Sequence, residues 1–385
     1  MTNTEKVQDI FRPLYKRDRH LQAPEMCAEI LDLRQAAQNN IGPPGYRIRV
    51  SRYYPTDSAI SHAKSVFSSY IESAPESVAM KLQEALTEEL ENHYDPVQIT
   101  VDELPGLVLI PELLPHAAQC AAVAEIVRDL VPDTRHRNNL DIHYSMGSGL
   151  SLFEKDKVLE PLAEPIYMGE DNKAEGCMID ASATRSELPA SITPMPIAMV
   201  RMRKLRWITL GGQYNWTTKK YPTFTRGAEG FPEFPARMGS LFSEPVFPGL
   251  TPEAAIINFY SPGDTLSPHR DVAELCMADL VSVSIGCEAV FYAGMERYSG
   301  QQQQQGTEVL QPLQMLLRSG DAVVMGSNSR HAYHGVGKVW AKTCPDYLKS
   351  LDNFVIGDDE EHELWRRYGE WMANKRVNIN VRQML

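Results

Sequence analysis

The sequence has no apolar run approaching the roughly 18 residues that a membrane span needs. Its first twenty residues also lack the apolar stretch of a secretory signal. An intracellular protein without a membrane partner is expected. Glu5 and Asp9 stand among Lys6, Arg12, Lys16, Arg17 and Arg19, a poor match to the acid-poor composition of a mitochondrial presequence. The nucleus or cytoplasm is therefore expected ahead of the mitochondrion. Close cysteine pairs are missing too: Cys27, Cys120, Cys177, Cys276, Cys287 and Cys344 are too far apart for a zinc or redox motif, and are read as reduced packing residues. There is no internal repeat, and Gln301 to Gln305 is the clearest low-complexity piece, a solvated loop expected between two strands.

Excess positive charge is absent overall. A net charge of -12 gives no global attraction to nucleic acid, so any such binding must use a local surface. One segment reverses the average. Between Arg201 and Arg226 stand Arg201, Arg203, Lys204, Arg206, Lys219, Lys220 and Arg226 with no acid among them, a candidate path for a structured or single-stranded nucleic acid.

At 385 residues the chain can bury a sizeable core as one large domain or two moderate ones. Helices are expected over Glu76 to Tyr94, with Val78, Leu82, Ala85, Leu86 and Leu90 on one face, and over His116 to Leu130, ended by Pro132. Residues 145 to 200 lack sustained periodicity and read as a long loop or insertion. Beyond Trp207 the pattern turns to short strands: Ala254 to Tyr260, Leu280 to Ile285, Ala289 to Tyr292, Ala322 to Met325 and Arg376 to Gln383. Strands of that length between glycine-containing turns predict a two-sheet jelly roll or barrel with flanking helices. Lys338 to Lys375, with its acidic stretch from Asp358 to Glu363, is expected to be surface decoration delaying the last strand.

In an extended segment His269 and Asp271 point to the same side, so an imidazole and a carboxylate can take adjacent positions on one cation. A facial triad needs a second imidazole and leaves three positions open for co-substrate and oxygen. His334 and His331, just beyond the strand at Ala322 to Met325, both qualify by position. The last strand alternates without a fault, with Arg376, Asn378, Asn380 and Arg382 on one face and Val377, Ile379 and Val381 on the other. Two arginines and two asparagines with no acid would make an unusual solvent face. A dicarboxylate ligand explains them better, because guanidinium forks bind carboxylates bidentately and keep their charge when buried.

The order Asn258-x-Tyr260, His269-x-Asp271, Ser319-Gly320-Asp321, Tyr333-His334-Gly335 and Arg376-x-Asn378-x-x-x-Arg382 resembles the AlkB family of nucleic-acid dioxygenases. The strings Leu205 to Gly211, Tyr214-Asn215-Trp216 and Arg376 to Gln383 resemble its AlkB homologue 1 subgroup, and Leu104 to Pro111 is similar to the start of that domain. The similarity covers residues 104 to 385, with departures at 145–200, 299–306 and 338–375, and leaves 1–103 as an N-terminal extension with helical segments. It implies a mainly β, double-stranded β-helix core and an Fe(II)/2-oxoglutarate-dependent dioxygenase.

Carried over residue by residue, the resemblance makes His269, Asp271 and His334 the iron ligands. It implies that Arg376, helped by Tyr260 and Asn378, holds the far carboxylate of 2-oxoglutarate. Asn258 and Arg382 go to the end near iron, with the two arginines' roles open to exchange. Trp207, Tyr214, Asn215 and Trp216 match the substrate lid, whose aromatic faces sandwich a flipped base. The implied reaction consumes O2 and 2-oxoglutarate, yields succinate and carbon dioxide, and removes an N-methyl group from a base as formaldehyde. Methylated tRNA is the first choice of substrate, DNA the second, and a monomer is expected. Two positions depart from the family pattern: Ala273 replaces a base-contacting acid of some members, and Gln314 lies where the bacterial enzyme has an arginine in its cleft. The alternatives are a 2-oxoglutarate dioxygenase acting on protein, and a nucleic-acid-binding protein whose metal centre is structural.

Overall fold

A computed structural model of the chain describes residues 3–18, 20–21, 29–92, 94–141, 144, 151–153, 158–160, 194–215, 220–221, 223–228, 230–297, 308–309 and 312–385. Thirteen strands form its two large sheets. In chain order they are β1 (Ile30–Asp32), β2 (Ile48–Arg52), β3 (Val97–Val101), β4 (Leu107–Ile110), β5 (Trp207–Gly211), β6 (Ala254–Tyr260) and β7 (Leu266–His269). There follow β8 (Leu280–Gly286), β9 (Ala289–Gly294), β10 (Leu313–Leu317), β11 (Ala322–Met325), β12 (Tyr333–Val339) and β13 (Arg376–Arg382). The larger sheet runs β2-β3-β4-β11-β8-β13-β6-β5 and the smaller β1-β10-β9-β12-β7. The chain crosses repeatedly from one sheet to the other, as from β6 to β7, from β8 to β9 and from β10 to β11, which is the two-sheet roll expected from the strand pattern.

The residues themselves set the direction of each face. In β8, Ser282 and Ser284 alternate with Val281, Val283 and Ile285, and in β13 Arg376, Asn378 and Asn380 alternate with Val377, Ile379 and Val381. The antiparallel register sets Ser284 opposite Asn378 and Asn380 opposite Ser282, so the polar residues of both strands share one face. On the reverse face Phe259 of β6 stands opposite Val377, and its ring lies 5.7 Å from that of Trp371. That apolar side is covered by helices. They include α2 (Asp57–Glu72), α3 (Glu76–Glu91), α4 (His116–Glu125) and α5 (Asp359–Met372), while α1 (Asn3–Asp18) instead caps the smaller sheet through Phe11 and Leu14 against Val290, Tyr292 and Leu316. The helix expected at His116 to Leu130 is present, its last turn, Ile126–Leu130, widened to a π-helical turn.

The segment from Lys338 to Lys375 is not surface decoration. Trp365, Tyr368, Trp371 and Met372 of α5 are buried in the main core, and Trp371 Nε1 donates to Arg201 O at 3.2 Å. Its acidic stretch is the start of a helix: Asp358 accepts from Glu361 N at 3.0 Å as the cap, and Asp359, Glu360 and Glu361 fill the first turn, where the helix dipole favours negative charge.

No break in the sheets falls at residue 103. β2 and β3 pair in sequence with β4, and β1 lies parallel to β10, Ile30 beside Gln314. The glutamine run lies outside the described residues, but Glu296–Arg297 and Glu308–Val309 on either side pair as antiparallel strands, as expected. Most of the 145–200 stretch likewise lies outside them. Among the described residues no helix is long and apolar enough to cross a membrane.

Candidate metal centre

β7 forms one edge of the smaller sheet and pairs with β12, with His269 directly opposite His334. Cross-strand neighbours in that position bring their side chains together, and the two imidazole centroids are 4.4 Å apart. Asp271 comes two residues later, on the same side as His269, with Oδ1 3.6 Å from His269 Nε2. One donor atom from each of the three residues lies within 4.8 Å of the others. His331 stands outside this group, in the Ser327–His331 turn before β12.

Each imidazole is aimed by its own backbone. His269 Nδ1 lies 3.0 Å from Ser267 O and His334 Nδ1 lies 3.1 Å from Ala332 O, so Nδ1–H donates to a carbonyl and Nε2 is left as the lone-pair donor toward the centre. Burial, with His269 adding to it, pushes the pKa of His334 down to about 4, which keeps the ring neutral as a ligand must be. Burial alone would raise the Asp271 carboxyl. Arg382 first, then His334 and His269, outweigh it and hold the group well below the usual carboxylate range. Two neutral nitrogens and one carboxylate suit a divalent first-row metal such as Fe(II).

A second layer fixes Asp271. Arg382 Nη2 lies 3.1 Å from Asp271 Oδ2, and its Nη1 donates to Glu274 Oε1 at 2.8 Å. The other oxygen of Glu274 accepts from Arg330 Nη2 at 3.0 Å, while Arg330 Nη1 and Nε donate to Asp271 O at 2.9 Å and Ala278 O at 3.0 Å. Glu274, Arg330 and Arg382 are buried, so these charges compensate one another rather than water. The residue-level reading missed Glu274 and Arg330, which no local pattern marks.

Further along β13, Arg376 is fully buried with its guanidinium 5.3 Å from the centre of the Tyr260 ring. Its Nη2 donates to Ser284 Oγ at 2.8 Å, whereas Nε and Nη1 have no protein partner. A buried cation with two idle N–H groups is costly unless an anion completes it. This is the socket a 2-oxoglutarate carboxylate fits. Asn378 is committed elsewhere, its amide donating to Ser282 Oγ at 2.8 Å and Val283 O at 3.1 Å and its oxygen accepting from Asn380 at 3.0 Å. Asn258 stands opposite Asn378 on one side and Trp207 on the other, so all three share a face across β13, β6 and β5.

Tyr214 and Asn215 follow β5. The Tyr214 ring packs edge-on to Tyr221 at 5.3 Å in a cluster that also touches Phe224 and Ala273. Its hydroxyl pKa is raised, by burial first and then by the Asp271 carboxylate. Asn215 N donates to Lys220 O at 2.9 Å. Trp216 and Lys219 lie outside the described residues. The basic segment is less free than its sequence suggests: Arg206 pairs with Asp264, Arg226 pairs with Glu253, and Arg201 lies over the Phe153 ring at 4.7 Å. The counter-charges come from distant parts of the chain, which a local charge count does not see. Arg203, Lys204 and Lys220 are exposed.

The family model described as the 2OG-Fe(II) oxygenase superfamily matches residues 171–382. The N6-methyladenosine RNA demethylase ALKB1 of Pyricularia oryzae is 34% identical over 73% of this chain and 75% of its own length. A tRNA demethylase of Schizosaccharomyces pombe is 30% identical over 75% of this chain and 82% of its own, and a DNA N(6)-methyladenine demethylase of Arabidopsis thaliana is 28% identical over 74% and 76%. Members of that superfamily use Fe(II), 2-oxoglutarate and O2, and the donor set and the half-satisfied arginine fit the first two. On that agreement of fold, residues and relatives, the chain belongs to the 2OG-Fe(II) oxygenase superfamily, in its AlkB branch.

Proposed function

We propose that this oxygenase demethylates N-methylated bases in nucleic acid, with tRNA its first substrate and DNA its second. What supports the reading is an aromatic cluster reached from the metal-ligand loop: Tyr214 packs edge-on to Tyr221 at 5.3 Å, Ala273, two residues beyond Asp271, packs on the same cluster, and Trp207 stands opposite Asn258 on the neighbouring strand. Flat apolar faces near an oxidising centre suit a base taken out of its stack. The relatives support it, since their names differ in the polymer but agree on demethylation of nucleic acid.

In this reading His269, Asp271 and His334 hold Fe(II), and Arg376, backed by Tyr260 and Ser284, takes the far carboxylate of 2-oxoglutarate. Asn378 acts by holding β13 to β8, and Arg382 by orienting Asp271 so that one carboxylate oxygen faces the metal. Asn258 lines the end near the metal. With O2, the bound iron and 2-oxoglutarate supply oxidation of an N-methyl group, and succinate and carbon dioxide leave. Trp207, Tyr214 and Trp216 hold the base plane and exclude water, Asn215 contacts its edge or backbone, and Arg203, Lys204 and Lys220 meet phosphates. The hydroxymethyl adduct on the base nitrogen then loses formaldehyde.

The test compares formaldehyde release from N-methylated tRNA, single-stranded DNA and a methylated peptide. The expected order is tRNA, then DNA, with the peptide at background. Arg203→Ala with Lys204→Ala should reduce the slope of log affinity against log salt by about 0.7 to 0.9 per lost phosphate contact. Turnover on the peptide alone would move the substrate to protein.

A further inference from the structure

β7 is a weakly held strand for one that carries a metal ligand. It lies at the edge of the smaller sheet, so β12 is its one strand neighbour, and that ladder consists of two residue pairs, His269 with His334 and Leu266 with Val336. Between those pairs β7 advances three residues and β12 two, a bulge that leaves one residue of β7 unpaired. Pro268 stands inside the bulge and has no N–H to give. The hold that β7 lacks along its ladder comes from the other end of the chain: the Tyr15 hydroxyl, on α1, donates to Leu266 O. β12 makes room for it. Gly335 follows His334 and so faces away from the metal ligands, and a Cβ there would lie 2.6 Å from Leu266 O and would also collide with the Tyr15 hydroxyl. The Tyr15 ring is braced in turn, edge-on to Tyr292 with centroids 5.0 Å apart. Three further bonds fasten the end of α1 and the residues after it to the same sheet: Tyr292 donates to Asp18, Arg17 to Gln314, and Lys338 Nζ to Leu21 O at 2.6 Å.

We propose that Tyr15 is a positioning residue of the metal centre: its hydroxyl fixes β7 against β12 and so holds His269 opposite His334 at the spacing one ion requires. The inference rests on the reading of His269, Asp271 and His334 as the metal ligands and extends that centre to the first helix of the chain. His269 stands three residues beyond Leu266, and its Nδ1 is aimed by Ser267 O within the same span, so a shift at residue 266 is passed to the imidazole. Tyr15 acts through the backbone, not on the ion.

The experiment compares the full-length parent with two variants. Tyr15→Phe keeps the ring beside Tyr292 and removes only the hydroxyl, whereas Tyr292→Phe removes the bond to Asp18 from β9, a strand that carries no ligand. Fe(II) affinity, by anaerobic titration, and thermal unfolding are measured on all three. Tyr15→Phe should bind Fe(II) about tenfold more weakly, the lower end of what an outer-shell partner contributes. Tyr292→Phe should unfold at a lower temperature than the parent and bind Fe(II) as the parent does. Parent-like Fe(II) affinity in Tyr15→Phe overturns the proposal. So does weaker Fe(II) binding in both variants in step with their loss of thermal stability, which would make α1 a general clamp on the fold. Failure of Tyr15→Phe to fold overturns it too, since the hydroxyl would then hold the fold rather than the ligand. A parent that binds no Fe(II) fails the metal assignment itself, before either variant is compared.

Discussion

Asp271→Ala is expected to leave a folded protein that neither retains Fe(II) nor forms succinate. The carboxylate is the only anionic donor of the triad, and without it two imidazoles on neighbouring strands must hold the ion alone. Metal affinity should fall by more than the roughly 100-fold that loss of an outer-shell partner costs. The fold survives because the neighbours keep other partners: Arg382 still has Glu274 at 2.8 Å, and Arg330 binds the backbone oxygen of residue 271, which alanine retains. Metal content after dialysis, thermal unfolding and succinate formation would be measured together. Parent-like succinate formation with one bound iron would remove Asp271 from the metal. Collapse of the fold would make the residue structural instead.

Arg376→Ala should act on the co-substrate and spare the metal. The two N–H groups of Arg376 without protein partners are the ones a carboxylate would fill, and stranding that carboxylate in a buried site costs about 2–5 kcal/mol. The 2-oxoglutarate affinity should therefore fall by at least about 30-fold. Arg376→Lys should recover little, because an ammonium offers a point charge where the site was built around a planar fork packed on Tyr260. Anaerobic titration of the Fe(II)-loaded protein, followed by its visible charge-transfer absorption, gives the affinity directly. A parent-like titration would mean that the idle N–H groups serve another ligand.

The parts of this site that could be read from the chain are those that strand alternation writes locally. His269 and Asp271 are two apart, and Arg376 to Arg382 alternates with three β-branched residues, so both patterns predict which side chains share a face. Ser282 and Ser284 carry the same signal in β8 and could have been found with it. Glu274 and Arg330 could not, because a buried ion pair 56 positions apart leaves no period to detect. Choosing His334 over His331 needed the family resemblance, and the structure supplies the physical reason: residue 334 falls opposite His269 once β12 pairs with β7. The acidic start of α5 does not by itself separate a capped, core-packed helix from surface decoration, because both have the same local composition. The pairing of β1 with β10 joins Ile30 to Gln314 across most of the chain, and only tertiary packing could reveal it.

Whether the triad's oxidation is directed at a base in a nucleic acid is decided by measuring succinate and formaldehyde together, under air with Fe(II) and 2-oxoglutarate, before and after adding an N-methylated tRNA. Succinate formation should rise on addition, formaldehyde should appear in an amount equal to that rise, and both should vanish in Asp271→Ala. Succinate formation indifferent to the tRNA, with no formaldehyde, would take the nucleic acid out of the reaction.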